Sequence, residues 1–276
     1  ALLFGLMTQL PFTDNKLGMR PEKANVLFCD YETDAETFER RLGMLVKGFN
    51  LPAVFLNYRR CYAPLTEEAD SLQQIITAKQ ISFLIIDSIS MASPESDLNK
   101  AGAATGIFKV LRQLKVTSFL VHHTSKDEWG ANKKDKTPFG SAYFSNISRS
   151  VFEVVKEQEV DSNTINLALF HRKVNDGKLL KPAGFCLEFN DESQSTIITK
   201  KSVAEMLETA QRLPLSIQMA NTLRHGGMTV KDLAEELEKS EGAIRKELHR
   251  HNKMFIKFGD LWALQETIAL PENNGF

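Results

Sequence analysis

No stretch of this sequence reaches the run of about 20 apolar residues that a membrane-crossing helix needs. No membrane partner is therefore expected. Cysteine is scarce: Cys29, Cys61 and Cys186 stand far apart, and Cys29 lies inside an apolar run. That spacing suits neither a disulfide framework nor a thiolate metal site, and it reads as reduced, structural cysteine in a cytoplasmic protein. Neither sign of charge prevails, with 34 basic and 35 acidic residues and a formal net charge of -1. Any contact with nucleic acid must therefore rest on local patches. Repeats and low-complexity tracts are missing, as is the phosphate-binding pattern G-x-x-x-x-G-K-[ST]. The apolar start, ALLFGLMTQL, lacks the basic n-region and A-x-A-like cleavage pattern of a secretion signal. It reads instead as the helix that should follow a phosphate-binding loop, in a chain cut just after that loop.

Three apolar strands dominate what is present: VLFCDYE (26–32), ISFLIIDS (81–88) and TSFLVHHTSK (117–126). Near-continuous apolar runs are the mark of buried parallel strands, and ligands bind beyond the carboxyl ends of such strands. Helices are expected over 1–10, 35–49, 66–79 and 98–114, with Thr66 as the cap of the third and a short strand AVFLNY at 53–58. After a polar, Lys-rich stretch and a short helix, antiparallel-looking segments VFEVVKEQ, TINLALFHRK and FCLEFN are expected to finish the same sheet. The fold class is α/β, a mainly parallel sheet flanked by helices.

A second unit begins near residue 203. LPLSIQMANTLRHGG reads as one helix closed by Gly226-Gly227, and Thr229 with Asp232 as a capping box opening the next. Ser240 caps a third, and MFIKFGDLWAL reads as two short strands around a Gly-Asp turn. Helix, helix, helix and hairpin is the winged-helix order. The expected division is a core over 1–200, a linker over 201–212, a winged helix over 213–266 and a tail over 267–276.

Several residues at the strand ends carry chemistry. Asp87, followed by Ser88, ends a buried strand, where a carboxylate either holds a hydrated magnesium ion or caps the ensuing turn. Glu32 either orients and deprotonates an attacking water or serves as an acid at a helix start. His122 and His123 leave their strand side by side, so alternation sends them to opposite faces. His123, nearer the strand's end, is the candidate sensor of a terminal phosphate.

Together these segments resemble a RecA-superfamily P-loop ATPase core of the RepA- and DnaB-like hexameric helicase branch. FCDYETDAETFERRLG resembles the segment with the water-activating acid, which implies that role for Glu32. FLIIDSIS resembles the Walker B strand, which implies that Asp87 and Ser88 contact nucleotide and magnesium. FLVHHTSKD resembles the sensor strand and implies that role for His123. FGSAYFSNISRSVFEV resembles the turn and helix after a mobile DNA-facing loop. FHRKVNDGK resembles the segment whose basic residue enters a neighbouring subunit's site, which implies Lys173, with Arg172 second. The resemblance covers about residues 1–190 and implies ATP and Mg2+ as cofactors, homo-oligomerisation as a hexamer, and single-stranded DNA as partner. Two departures stand out: the Walker A loop is missing, which implies a fragment inactive as it stands, and Asn175 occupies a position often Arg in DnaB-like fingers.

Lys126, Trp129, Lys133, Lys134 and Lys136 combine charge with a stacking surface, as single-strand binding requires. An ordinary solvated loop is the alternative. In the winged unit Arg245, Lys246 and Arg250 lie on one helix that could meet duplex DNA, while winged helices also dock proteins. The function expected is an ATP-hydrolysing, DNA-handling motor of replicative-helicase type. The alternatives are a filament-forming recombinase or repair ATPase and a non-hydrolysing DNA-binding regulator.

Overall fold

The computed structural model describes every residue except 12–16, 96, 124–141, 207–212 and 266–276. The chain divides into two compact units, Ala1–Lys201 and Ser202–Phe276.

The first unit is built on four parallel strands. β1 (Val26–Asp30) lies between β2 (Asn57–Arg60) and β3 (Phe83–Asp87), and β4 (Thr117–Leu120) flanks β3, in the order β2-β1-β3-β4. Side chains alternate across this sheet, so each face buries its own set. Leu27, Cys29, Leu84 and Ile86 pack with α3 (Leu65–Ala78) and α5 (Ala101–Leu114). Val26, Phe28 and Ile85 pack with α1 (Leu2–Gln9) and α2 (Ala35–Gly48). The fold class is the α/β sandwich that the apolar runs predict. Cys29, Cys61 and Cys186 are free thiols, the first two buried.

Three expectations are corrected. The strand expected at 53–58 is instead Asn57–Arg60, because its arginines find partners that alternation alone does not reveal. Thr66 is not a cap: α3 starts at Leu65, Pro64 stands at the N-cap position, and its carbonyl accepts from the Glu67 and Glu68 amides. The parallel sheet also does not continue into the antiparallel strands. β5 (Ser150–Glu157), β6 (Thr164–Val174), β7 (Ala183–Asn190) and β8 (Ser195–Lys201) form a separate sheet in chain order. Consecutive hairpin pairing satisfies their backbone groups among themselves. Phe185 and Ile198 of that sheet join the core around α2. β8, whose Ser195 and Thr196 are buried polar residues, has no apolar run to announce it.

The second unit holds α7 (Leu215–Leu223), α8 (Val230–Glu236), α9 (Glu241–Arg250), β9 (Phe255–Phe258) and β10 (Leu261–Leu264). Met219, Leu223, Leu233, Ile244, Leu248 and Phe255 form its core. Thr229 and Asp232 make the reciprocal capping box, and Ser240 accepts from the Ala243 amide. The strands turn at Gly259, whose φ of 58° lies in the left-handed region that glycine enters without cost. α7 stops before Gly226-Gly227, tightening through single-turn bonds from the Arg224, His225 and Gly226 amides. Val203 and Met206, in the stretch expected as linker, are buried. No helix among the described residues is long and apolar enough to cross a membrane.

Candidate active site

Because β1, β3 and β4 run parallel in adjacent positions, their carboxyl ends open on one rim. Asp30 stands opposite Asp87, and the Val121 amide bonds the Ile86 carbonyl, carrying the ladder one residue past β4. Beyond that rim the chain turns, and three side chains meet. Ser88 is fully buried and stands at the N-cap position of α4 (Ile89–Ala92), yet makes no capping bond there. Its hydroxyl donates instead to Glu32 Oε1. His123 Nε2 lies 2.8 Å from the same oxygen. The Asp87–Ser88 peptide is cis.

Burial acts to raise the Glu32 carboxyl, but the hydrogen bonds from Ser88 and His123 outweigh it and hold the group below its ordinary value. Asp87 is pushed the other way. Burial raises it most, and the carboxylates of Glu32 and Asp30 add to the rise. No described side chain donates a hydrogen bond to the Asp87 carboxylate. Two neighbouring carboxylates and free oxygens make a donor set suited to a hard divalent cation. Among the described residues no group of three His, Cys, Asp or Glu is arranged to hold a metal by itself. Such an ion would therefore need water or phosphate oxygens to complete its shell.

His122 diverges from His123 as alternation requires. Its ring packs edge-on against Phe144 with centroids 4.7 Å apart, Nδ1 lies 3.0 Å from the His123 carbonyl oxygen, and Nε2 is buried without a partner. Burial holds its pKa below the ordinary value.

Asp30, which the sequence reading passed over, is buried at 2% exposure beside this site. Its Oδ1 accepts from the amides of Glu32 (2.9 Å) and Thr33 (2.8 Å), and its Oδ2 from the hydroxyls of Thr33 (2.5 Å) and Tyr58 (3.3 Å). Arg60 Nη1 donates to its carbonyl oxygen at 3.0 Å and stands 3.6 Å from Oδ1. Burial, then the Asp30 charge, pushes the Tyr58 hydroxyl up to about 12. The signal available in the sequence was an Asp two residues ahead of Glu32 and three ahead of a Thr, the pattern of a side-chain-to-backbone turn.

The remaining candidates lie elsewhere. Lys173 Nζ donates to the carbonyls of Ser145 (3.0 Å), Asn146 (2.8 Å) and Ser148 (2.6 Å), closing the carboxyl end of α6 (Tyr143–Ile147). Arg172 donates from Nε (2.8 Å) and Nη2 (2.6 Å) to Glu153 Oε2 and stacks over Phe170. Both basic residues are thus engaged within their own chain. Arg245 pairs with Glu241 and Arg250 with Glu247, each at 2.7 Å, so two of the three cations expected to meet DNA on α9 are matched by acids of the same helix. Lys246 on α9 is exposed. Lys126, Trp129, Lys133, Lys134 and Lys136 lie outside the described residues.

A family model described as AAA domain matches residues 2–128, the span that supplies Glu32, Asp87, Ser88 and His123. The match supports a RecA-like P-loop ATPase core there. No curated protein matches the chain. Among solved structures the chain is similar to the KaiC-like protein PH0186 from the hyperthermophilic archaeon Pyrococcus horikoshii OT3. Identity is 14%, the alignment covers 63% of this chain and 75% of that one, and the TM-score is 0.41, a distance at which it says nothing of the chemistry.

Proposed function

We propose that this chain is the ATP-hydrolysing core of a DNA-handling motor, of the replicative-helicase type, working as a ring with ATP and Mg2+ held between subunits. One observation carries the reading: Glu32, held by Ser88 and His123, sits beside Asp87 at the ends of three adjacent parallel strands. Glu32, ionised at neutral pH, orients and deprotonates the attacking water. Asp87 would hold Mg2+, which would supply neutralisation of charge developing on the phosphates. His123, already touching Glu32, exchanges that contact for the terminal phosphate and so reports its presence to the segment that begins at residue 124. Single-stranded DNA is proposed to contact Lys126, Trp129, Lys133, Lys134 and Lys136. Lys173 and Arg172 are the candidates for completing a neighbour's site, and each would first release its internal partners.

For the second unit we propose a winged helix. The matched charges on α9 favour protein docking over duplex binding, because a phosphate must displace Glu241 or Glu247 before it meets Arg245 or Arg250.

Hydrolysis requires a phosphate-binding loop, which this sequence does not contain, so the test uses the chain fused behind a G-x-x-x-x-G-K-[ST] loop. ATP turnover with Mg2+ is expected to rise when single-stranded DNA is added. Glu32→Gln is expected to lower it by about 100-fold or more. Unchanged turnover in Glu32→Gln would end the assignment of Glu32. Turnover without DNA stimulation would leave an ATPase that is not a DNA motor.

A further inference from the structure

Three acids, Asp30, Glu32 and Asp87, stand at this rim, and Asp30 is the one fully buried. Asp30 ends β1 in register with Asp87, but its carboxylate turns inward, where four donors already occupy its oxygens. A carboxylate so committed has no lone pair left for water or metal. All four bonds serve geometry: two fix the amides at 32 and 33, one fixes the Thr33 side chain, and one ties the turn to Tyr58 on β2.

That turn decides where Glu32 can go. The residue leaves the end of β1 and must reach back across β3 to Ser88 and to His123 beyond β4. A Glu side chain has three rotatable bonds, so its carboxylate samples a wide volume unless the backbone beneath it is fixed. α2 begins at Ala35 with Asp34 as its cap, accepting from the Thr37 amide. The stretch between strand and helix is thus pinned from both sides, by Asp30 behind and Asp34 ahead. Arg60, on Asp30's carbonyl and near its carboxylate, compensates the buried charge.

We propose that Asp30 is the positioning residue of this site: its carboxylate locks the Tyr31-Glu32-Thr33 turn, and so delivers one Glu32 oxygen to both the Ser88 hydroxyl and His123. Its consequence for catalysis rests on the reading of Glu32 as the water-orienting acid. The positioning itself does not, and it is measurable without turnover.

The test compares Asp30→Asn with Asp30→Ala in the intact chain by NMR. Asparagine keeps an oxygen able to accept from both amides, whereas alanine keeps none. In Asp30→Asn the Glu32 and Thr33 amides are expected to retain slow hydrogen exchange, and the contact of the His123 ring with the Glu32 side chain to persist. In Asp30→Ala exchange at those two amides should accelerate at least about tenfold, and the His123–Glu32 contact should vanish while core amides on β3 keep their shifts. Rescue by asparagine separates positioning from a general loss of fold. Should Asp30→Ala not fold, Thr33→Val gives the milder case, with partial loss of protection at residue 33 and a weakened His123–Glu32 contact. The proposal is overturned if the contact survives in Asp30→Ala, if asparagine fails to rescue it, or if Thr33→Val leaves both readouts untouched. None of these outcomes depends on ATP turnover, so a failed ATPase reading and a failed positioning role remain distinguishable.

Discussion

Gly48 closes α2 where the helix meets β8 of the antiparallel sheet. A Cβ placed there would stand 1.9 Å from the Thr196 carbonyl oxygen and 2.6 Å from its carbon. Carbon and carbonyl oxygen tolerate approach to about 3.3 Å, so Gly48→Ala must part helix and strand by roughly 1.4 Å. Both groups are backbone, so no rotamer change relieves the clash. Overpacking of this kind costs about 1–3 kcal/mol, and rigidity on both sides places this case at the upper end. Alanine's better helix propensity returns at most about 1 kcal/mol. A net loss of about 2 kcal/mol lowers the melting temperature of a domain this size by about 4–8 °C. Calorimetry on the whole chain reads it, and only the transition of residues 1–201 should move, since residues 202–276 form their own unit. Because α2 starts directly after the turn that carries Glu32, the same displacement should weaken the His123–Glu32 contact. An unchanged melting temperature in Gly48→Ala would refute the close approach and the coupling together.

Four further outcomes are expected. Glu153→Ala removes the buried carboxylate oxygen that Arg172 grips through two nitrogens and should cost about 3–5 kcal/mol by denaturant titration. Lys173→Met frees three carbonyls at the end of α6 and should cost about 1.5–3 kcal/mol; a residue acting only on a neighbouring subunit would leave stability unchanged. Thr229→Ala removes the hydroxyl that accepts from the Asp232 amide, leaves the residue-229 amide to Asp232, and should lower the stability of the second unit by about 0.5–2 kcal/mol, seen in its own thermal transition. His122 is held neutral by burial, below its ordinary 6.5. Below pH 6.5 the unfolded chain therefore takes up a proton that the folded chain refuses. Stability should be intact above 6.5, fall as pH drops towards the folded value, and then level off; His122→Asn should flatten that slope in pH-dependent denaturation.

Residues whose roles depend on local pattern are legible in the sequence. β1 and β3 announce themselves because burial on both faces demands unbroken apolar runs, and Ser240, Thr229 and Asp232 announce helix starts by cap chemistry. Glu32, Asp87 and His123 are legible as strand-end residues, and parallel pairing brings their strand ends to a common rim. What escapes is set by partners distant in sequence. β2 reads as polar because Arg59 answers Glu68 and Arg60 answers Asp30. Asp30 hides among four acids between residues 30 and 36, and only its burial singles it out. Ser88 reads as a nucleotide contact beside Asp87, and nothing local reveals that its hydroxyl is turned to Glu32. Arg172 and Lys173 are recognisable as basic, but which carbonyls or carboxylates they serve is a property of the folded neighbourhood.

The edge-on contact between His122 and Phe144 has a consequence for the stretch between them. It brings together the two feet of residues 124–141, one foot continuing from β4 and the other entering an α6 fastened by Lys173. A chain joining feet already clasped in this way adds little closure entropy as it grows, about 0.6 kcal/mol for each doubling of length. Insertions between positions 124 and 141 should therefore cost β4 and α6 little stability.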